Sequence, residues 1–355
     1  MRSGDPLRVL VIDDSAFSRR AIARMLEATP LARVVGVAWD GEEALRKILD
    51  LEPDLVTLDL EMPRMDGFTF LRLLMARRPT PVLVVSGRSG HEDVFRALEL
   101  GAVDFVAKPT PRATPDLHGI QQELIRKVHA IRELRIEKVR ERLRSAPPRL
   151  SALPPAGPVR PVVVLGASTG GPAALLQLFG AFPEAPRIAF LVAQHMPAGF
   201  TGGFAQRLDR LTTLRAREAR GGETPEPGSI LLAPGGAHLE LESAGGRTVT
   251  RISPRQAADK YAPSVDRLFE SAAKHFGADL QAVVLTGMGD DGRRGVVAVK
   301  ASGGSVIAES EQSAVIFGMP KQAIRTGAVD RVVPLAEIAG VIQGGALRVQ
   351  CGIRG

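Results

Sequence analysis

The sequence has few of the residues that build disulfide frameworks, base-stacking platforms or membrane spans. It contains a single cysteine, Cys351, which excludes an intrachain disulfide and fits a reducing compartment. Aromatic residues make up only 4% of the chain, too few for a surface that stacks nucleic-acid bases. No apolar run approaches the ~20 residues that a spanning helix needs, and the first residues lack a signal-peptide pattern. We therefore expect a cytoplasmic protein that neither inserts into membranes nor binds nucleic acid.

The composition is that of a globular protein with an excess of positive charge. Apolar residues make up 45% and charged residues 24% of 355 residues, a length that favours about two domains. The formal net charge is +7. Residues 126–149 contain nine basic residues against three acidic ones, so most of the excess lies in one segment. We interpret this segment as a solvated basic helix that leads into a linker.

Short apolar runs alternate with helical patterns in the first third of the chain. The runs predict strands at residues 8–12, 33–38, 54–58, 81–85 and 104–106. The intervening patterns predict helices near residues 16–28, 41–51, 67–77 and 92–100. A fifth helix is expected from about residue 116, extending toward residue 143. Strands that alternate with helices predict a parallel five-stranded sheet covered on both faces.

A proline-rich segment marks the clearest boundary in the sequence. Residues 145–161 contain six prolines and are predicted to form an extended, semi-rigid linker. Beyond it, strands are predicted at residues 162–165, 188–193 and 281–286, with a more β-rich stretch at 214–252. We predict a domain over residues 1–128, a basic extension and linker over 129–159, and a doubly wound, Rossmann-like α/β domain with some added β structure over 160–348.

Polar side chains follow four of the predicted strands in the first domain. Asp13 and Asp14 follow the first strand, Asp59 the third, Ser86 the fourth and Lys108 the fifth. The carboxyl ends of parallel strands converge on one crevice, so we expect these side chains to meet there. Three carboxylates in a small space favour a divalent cation such as Mg²⁺. The alternative, helix caps and a surface lysine, requires five independent coincidences.

This half of the sequence resembles the receiver domain of two-component response regulators. The stretch DLEMPRMDG, residues 59–67, is similar to the phosphorylation loop of that family, and Lys108 followed by Pro109 is similar to its lysine followed by a cis-prolyl bond. The resemblance implies a flavodoxin-like fold, with phosphorylation at Asp59 and Mg²⁺ held with the help of Asp13 and Asp14. It also implies that Ser86 senses the phosphoryl group and that Phe105 is the aromatic switch residue.

The second domain contains a candidate nucleophile in a turn between a strand and a helix. Ser168 lies in GASTGGP, residues 166–172, where small residues permit a sharp turn and proline suits the first turn of a helix. The pattern G-x-S-x-G is moderately specific, and a phosphate-binding turn or a simple tight turn is the alternative. His195 follows the next strand, and LTGMGDDG, residues 285–292, follows a third. Asp290 or Asp291 could orient the histidine, and spacing alone does not choose between them.

These elements together resemble the catalytic domain of the CheB family of chemotaxis methylesterases, over about residues 160–345. The matching motifs are GASTGGP, QHMP, LTGMG-x-DG and FGMP. The resemblance implies Ser168 as nucleophile, His195 as general base and Asp291 as orienting carboxylate, with Thr169 and Met288 near the oxyanion. One departure is Ala262, which stands where the family often has a basic residue, so details of receptor docking do not carry over.

The resemblance implies a phosphorylation-activated esterase that hydrolyses glutamate γ-methyl esters on chemoreceptors, releases methanol and also deamidates receptor glutamines. It implies a chemotaxis-type histidine kinase as phosphodonor and no cofactor in the esterase site. Two alternatives stay open. In one, a non-enzymatic response regulator uses its second domain only to bind a partner; in the other, the same esterase serves a signalling array outside chemotaxis.

Overall fold

The computed structural model describes residues 5–87, 91–108, 120–132 and 162–351, with only the backbone described for residue 91 and residues 345–351. The chain divides into two compact units, Met1–Ser145 and Ala146–Gly355. The predicted linker, the basic segment beyond residue 132 and the predicted start of the fifth helix lie outside the described residues. Among those residues, no helix is long and apolar enough to cross a bilayer.

The first unit contains a parallel sheet in the order β2-β1-β3-β4-β5, which is the flavodoxin-like order. Its strands are β1 (Leu7–Ile12), β2 (Ala32–Ala38), β3 (Leu55–Leu58), β4 (Val82–Ser86) and β5 (Asp104–Ala107). Its helices are α1 (Ala16–Glu27), α2 (Gly41–Leu51), α3 (Gly67–Arg77), α4 (His91–Glu99) and α5 (Gln121–Ile131). The predicted fold is confirmed, and no strand end differs from its predicted position by more than one residue. Ser86 is the last residue of β4 rather than the residue after it.

The second unit contains a seven-stranded parallel sheet in the order β14-β13-β12-β6-β7-β9-β8. Its strands are β6 (Val162–Ala167), β7 (Ala189–Gln194), β8 (Arg215–Glu218), β9 (Ser229–Leu232), β12 (Leu280–Val284), β13 (Ser305–Glu309) and β14 (Arg331–Val333). The added β structure is an antiparallel hairpin of β10 (Ala237–Ala244) and β11 (Arg247–Pro254). Both the predicted doubly wound class and its β-rich insertion are confirmed. The predicted strand at 281–286 ends two residues earlier, at Val284.

Helices cover both faces of this second sheet. They are α6 (Gly171–Gly180), α7 (Phe200–Leu211), α8 (Val265–Phe276), α9 (Arg293–Ala301), α10 (Met319–Ile324) and α11 (Leu335–Cys351). Each residue of the central strands β6 and β7 is buried, and all of these residues except Gln194 are apolar or glycine. A strand that is buried on both faces requires a nearly continuous run of apolar residues. Such runs are the pattern from which strands were predicted at residues 162–165 and 188–193.

The strand order reverses beside β6, with β12 on one side and β7 on the other. In doubly wound sheets the crevice at such a switch point is where ligands bind. Gly166 lets the start of α8 approach the end of β6, because a Cβ at Gly166 would lie 2.3 Å from the Val265 Cγ1 atom. The N-terminus of α8 is therefore brought to the same crevice.

Candidate active site

The first unit gathers its predicted acidic residues at the carboxyl edge of its sheet. Oxygens of Asp13, Asp14 and Asp59 all lie within 4.8 Å of one another. The Lys108 ammonium lies 2.8 Å from Asp13 Oδ2 and also contacts Asp59 Oδ2. Ser86 is buried at the end of the neighbouring strand. The structure thus brings together the residues that the sequence placed at separate strand ends.

The electrostatics of this cluster suit a hard divalent cation. Burial, together with the nearby Asp59 and against the opposing effect of Lys108, raises the pKa of Asp13 above its ordinary value. Burial alone would lower the pKa of Lys108, but the charges of Asp59 and Asp13 outweigh it and raise that pKa. Three clustered carboxylates supply the oxygen ligands that Mg²⁺ prefers, so the residues present fit this ion.

Phe105, the predicted switch residue, is buried in β5. The sequence reasoning missed its neighbour Lys127, a buried lysine on α5. The Lys127 ammonium donates to Asp104 Oδ1 at 2.7 Å and to the carbonyl of Phe105, and it lies 5.0 Å from the centre of the Phe105 ring. A lysine in an otherwise apolar helix face was the signal that could have identified it. Lys127 holds β5 against α5 at the position of the aromatic side chain.

In the second unit, strand register places Ser168 beside His195. Strands β6 and β7 are parallel, and Ala167 is paired with Gln194 at their carboxyl ends. Ser168 and His195 are the next residue of each strand, and the His195 N–H donates to the Ala167 carbonyl at 3.0 Å. The buried Gln194 amide also donates to the carbonyls of Ser168 and His195, at 2.9 and 3.0 Å. The two loops are therefore fixed to each other as they leave the sheet.

His195 pairs with the second aspartate of the DDG turn. Its Nε2 atom lies 2.8 Å from Asp291 Oδ2, and both side chains are buried. Since an ionised carboxylate only accepts hydrogen bonds, the ring proton lies on Nε2. Nδ1 is then the basic nitrogen, and it is buried with no hydrogen-bond partner among the described residues. The imidazole is thus oriented with Nε2 toward the carboxylate and a free lone pair on Nδ1.

Asp291 lies at the N-terminus of α8, where unpaired backbone N–H groups favour a negative charge. Its Oδ2 atom accepts from the Val265 N–H at 2.7 Å, and its Oδ1 atom accepts from the Asp266 N–H at 2.9 Å. The Ser264 hydroxyl donates to Oδ1 at 3.0 Å. Burial alone would raise the pKa of Asp291, but the hydrogen bond and charge of His195 and these backbone donors together lower it. The carboxylate is therefore held ionised.

Asp290 has a different environment from its neighbour. Its side chain is 52% exposed and pairs with the Lys260 ammonium at 2.7 Å. That hydrogen bond to Lys260 is the main reason that the pKa of Asp290 is lowered. Spacing left the two aspartates as alternatives, and the structure brings only Asp291 against His195.

Tyr261 forms one wall of the site, and the sequence reasoning did not assign it a role. Its ring stacks on the His195 imidazole with centroids 4.6 Å apart and planes 9° from parallel. Its hydroxyl donates to Asp290 at 3.3 Å. Tyr261 is the only tyrosine in the chain, which was a signal of interest, but no spacing connected it to His195.

The loop after β12 passes directly over the candidate nucleophile. The Ser168 N–H donates to the Thr286 carbonyl at 3.0 Å, and the Thr286 hydroxyl donates to the Thr169 carbonyl at 3.0 Å. A Cβ at Gly287 would lie 2.7 Å from the Ser168 Cβ atom, so only glycine permits this approach. Thr169 is buried, and Met288 follows Gly287 as a half-buried residue. Backbone from two loops therefore surrounds Ser168.

A cavity of about 500 Å³ adjoins Asp291 on the side of α8. Charged side chains dominate its lining, including Lys260, Asp290, Arg293 and Arg294. Of the three site residues, only Asp291 lies in the lining of this cavity.

Each half of the chain matches a known protein family. A family model described as CheB methylesterase matches residues 163–342, and one described as response regulator receiver domain matches residues 9–117. A protein-glutamate methylesterase/protein-glutamine glutaminase of Geobacter sulfurreducens is 50% identical, covering 93% of this chain and 94% of its own. One of Myxococcus xanthus is also 50% identical, covering 95% of this chain and 96% of its own. The crystal structure of the Thermotoga maritima CheB methylesterase catalytic domain is 39% identical, with a TM-score of 0.49, and covers 51% of this chain and 95% of that domain.

Proposed function

This chain belongs to the CheB methylesterase family, and we propose that it hydrolyses glutamate γ-methyl esters on chemoreceptors and releases methanol. The observation that carries the proposal is the His195–Asp291 pair at the switch point of the sheet, beside Ser168. The relatives at 50% identity are named for this activity and for glutaminase activity. A nucleophile, a base and an orienting carboxylate at one crevice supply what acyl transfer from an ester requires.

In the proposed mechanism, the Ser168 hydroxyl attacks the ester carbonyl while His195 Nδ1 takes its proton. A bond forms between Ser168 Oγ and the carbonyl carbon, and the carbonyl π electrons move onto oxygen. Asp291 accepts the Nε2–H bond throughout and stabilises the imidazolium that develops. Collapse of the tetrahedral intermediate breaks the bond to methoxide, which takes the proton from His195 and leaves as methanol. Water then attacks the acyl-enzyme with His195 again as base, which restores Ser168 and leaves the free glutamate.

Backbone N–H groups around Ser168 are proposed to stabilise the oxyanion, with Thr169 and Met288 as supporting residues. Such donors are usually the largest single contribution to catalysis of acyl transfer. Thr169 follows the nucleophile, and Met288 follows the glycine that lies against Ser168. The same acyl chemistry with an amide carbonyl would release ammonia, so deamidation of receptor glutamines belongs to the proposal.

The esterase reaction as proposed uses only side chains and backbone of the second unit. In the receiver unit, Asp13, Asp14 and Asp59 would hold Mg²⁺. When bound, the ion neutralises charge on the phosphoryl group that Asp59 accepts. Lys108 supplies a second positive charge at the same position. We place the protein in the cytoplasm, with a chemotaxis-type histidine kinase as phosphodonor and methyl-accepting chemoreceptors as substrates.

Regulation by phosphorylation follows from the two units in one chain. We propose that the unphosphorylated receiver inhibits the esterase and that phosphorylation of Asp59 relieves this inhibition. Deleting residues 1–145 should then raise basal esterase activity per active site. Asp59→Asn in the full chain should give low activity that a phosphodonor does not change. If the deletion gives no gain, phosphorylation acts in another way, such as recruitment to the receptor.

Replacement of the nucleophile tests the function directly. Ser168→Ala should lower methanol release from methylated receptor membranes by at least about 10³-fold, since catalysis by the triad is lost as a unit. Ser302→Ala is the matched control, because its hydroxyl only donates to the Val299 carbonyl at the end of α9. Control activity should equal that of the wild type. Substantial residual methanol release by Ser168→Ala would refute the proposed nucleophile.

A further inference from the structure

A second histidine–aspartate pair, formed by a buried histidine and a partly exposed aspartate, lies behind the catalytic carboxylate. His238, in β10, is fully buried, and its Nε2 atom lies 2.9 Å from Asp259 Oδ2. Its other ring nitrogen, Nδ1, accepts a hydrogen bond from the Ser264 N–H at 3.2 Å. A backbone N–H can only donate, so Nδ1 is unprotonated and the ring proton lies on Nε2. The tautomer of His238 is thus fixed from both sides.

Ser264 connects this pair to the active site. It is the N-cap residue of α8, and its hydroxyl accepts from the Arg267 N–H. The same hydroxyl donates to Asp291 Oδ1 at 3.0 Å. Hydrogen bonds therefore run from Asp259 through His238 and Ser264 to Asp291, and from there to His195 Nε2.

The histidine takes a role that a glutamate usually has at a helix N-terminus. In a capping box, the residue at the third helical position accepts the N–H of the N-cap residue. Here that position is Arg267, a cation that cannot accept, and its guanidinium instead pairs with Glu240 at 3.0 Å. His238 Nδ1 accepts the Ser264 N–H in its place. The next two helical N–H groups, from Val265 and Asp266, donate to Asp291.

We propose that His238 is a positioning residue for the esterase reaction: its unprotonated Nδ1 fixes Ser264 so that the start of α8 holds Asp291 against His195. The inference rests on the proposed function. His238 contacts neither nucleophile nor base, and it acts only through Ser264 and Asp291. Asp259 supports it by holding the proton on Nε2, in the way that a triad carboxylate sets a tautomer. Loss of this acceptor should lower kcat with little change in KM, because the substrate does not contact His238.

Two amide variants of similar polarity separate the Nδ1 contact from the Nε2 contact. In His238→Asn, the side-chain oxygen can occupy the position of Nδ1 and accept the Ser264 N–H. In His238→Gln, the amide reaches toward Asp259 and leaves that N–H facing a methylene group. We expect His238→Asn to keep kcat within about 3-fold of the wild type. We expect His238→Gln to lose about 10- to 100-fold in kcat, with KM within about 2-fold, because a misplacement of about 1 Å can cost about 10²-fold in rate.

The experiment compares full-length wild-type, His238→Asn and His238→Gln proteins by methanol release from methylated receptor membranes. Labelling of Ser168 by a fluorophosphonate gives a second rate that depends on the activated serine and not on the natural substrate. The labelling rate should follow the same order as kcat, with His238→Asn labelled faster than His238→Gln. Equal losses in both variants, or no loss in either, would overturn the proposal. If the wild type is labelled but releases no methanol, the proposed substrate is refuted. The labelling rates of the two His238 variants then still test the positioning role.

A spectroscopic measurement tests the proposal even if a variant fails to fold. In wild-type protein with ¹⁵N-labelled histidine, long-range ¹H–¹⁵N correlations should show His238 with its proton on Nε2 at neutral pH. Signals that disappear in either folded His238 variant assign the residue, and the six histidines of the chain make assignment by single replacement practical. A proton on Nδ1 would exclude the hydrogen bond from Ser264 and overturn the proposal.

Discussion

Asparagine differs from aspartate by one nitrogen in place of an oxygen, and each hydrogen bond of Asp291 is sensitive to that exchange. Oδ2 accepts from the Val265 N–H and from His195, while Oδ1 accepts from backbone N–H groups and from the Ser264 hydroxyl. In Asp291→Asn, the new amide N–H₂ must occupy one of these two positions. In either position it faces at least one backbone donor that has no other acceptor in the site.

The size of the effect follows from which position the nitrogen takes. Placed toward His195, it forces the imidazole to accept at Nε2 and moves the ring proton to Nδ1, where the lone pair is needed. That loss of tautomer control costs about 10⁴ in rate in serine proteases. Placed on the other side, it leaves the backbone N–H groups of Asp266 and Gly292 without their acceptor, at about 1–3 kcal/mol each. We expect kcat to fall by about 10³- to 10⁴-fold and the free energy of unfolding by about 2–4 kcal/mol.

The stability loss has a defined dependence on pH. The pKa of Asp291 in the folded protein lies below its ordinary value of 3.8, because His195 and the helix donors outweigh the effect of burial. A carboxyl whose pKa is lowered by folding stabilises the folded protein fully at a pH above its pKa in the unfolded chain. This stabilisation is lost as the pH falls through its pKa in the folded protein. The difference in unfolding free energy between wild type and Asp291→Asn should be constant from pH 7 to about 5 and shrink below about 4. Chemical denaturation, monitored by hydrogen exchange of the second unit, measures it.

Asp290→Asn is the matched control, one residue away. Asp290 is half exposed, and an exposed pair such as the one with Lys260 contributes about 0–1 kcal/mol. Asparagine keeps an oxygen that can accept from Lys260 and Tyr261, so methanol release should stay within about 3-fold of the wild type. Equal losses in the two variants, or a larger loss for Asp290→Asn, would refute the assignment of Asp291 as the orienting carboxylate.

Two further predictions concern the walls of the site. Tyr261→Phe keeps the ring stacked on His195 and should change kcat by less than about 2-fold. Tyr261→Ala removes the ring and should lower kcat about 3- to 10-fold, which corresponds to the free energy of one stacked aromatic pair. Equal methanol release by the two variants would contradict a role for stacking. Gly287→Ala places a Cβ 2.7 Å from the Ser168 Cβ atom and should lower activity by more than about 100-fold. Gly202→Ala, whose nearest neighbour would be 3.6 Å away, should stay fully active in the same assay, and a similar loss in both would contradict the steric argument.

The receiver site was predictable because each of its residues directly follows a buried strand. An apolar run fixes where a strand ends, and parallel strands bring their carboxyl ends to one edge. Asp13, Asp59 and Lys108 therefore met as expected. Lys127 was not predicted, because its contact with Phe105 depends on how α5 packs on β5, and helical periodicity gives the buried face but not the partner.

The positions of the candidate catalytic residues were predictable to the same extent and for the same reason. Ser168 and His195 follow adjacent strands, and the paired ends of β6 and β7 set them side by side. The spacing of residues in the sequence could not distinguish Asp290 from Asp291, because both lie in one turn. It is decided by α8, whose N-terminus presents donors to one carboxylate and leaves the other in solvent.

The remaining residues of the site come from segments that enter the crevice from outside the sheet. Tyr261 and Ser264 precede α8, and His238 lies in the hairpin of β10 and β11. No periodicity relates these positions to a strand end, so only packing could place them. That packing depends on Gly166, since any larger residue would separate α8 from β6. Because the helix N-terminus lies this close to the sheet, the Asp291 carboxylate accepts both from backbone N–H groups of α8 and from His195 Nε2. Separating α8 from β6 would therefore disturb Asp291 and its alignment with His195 before it disturbed either strand.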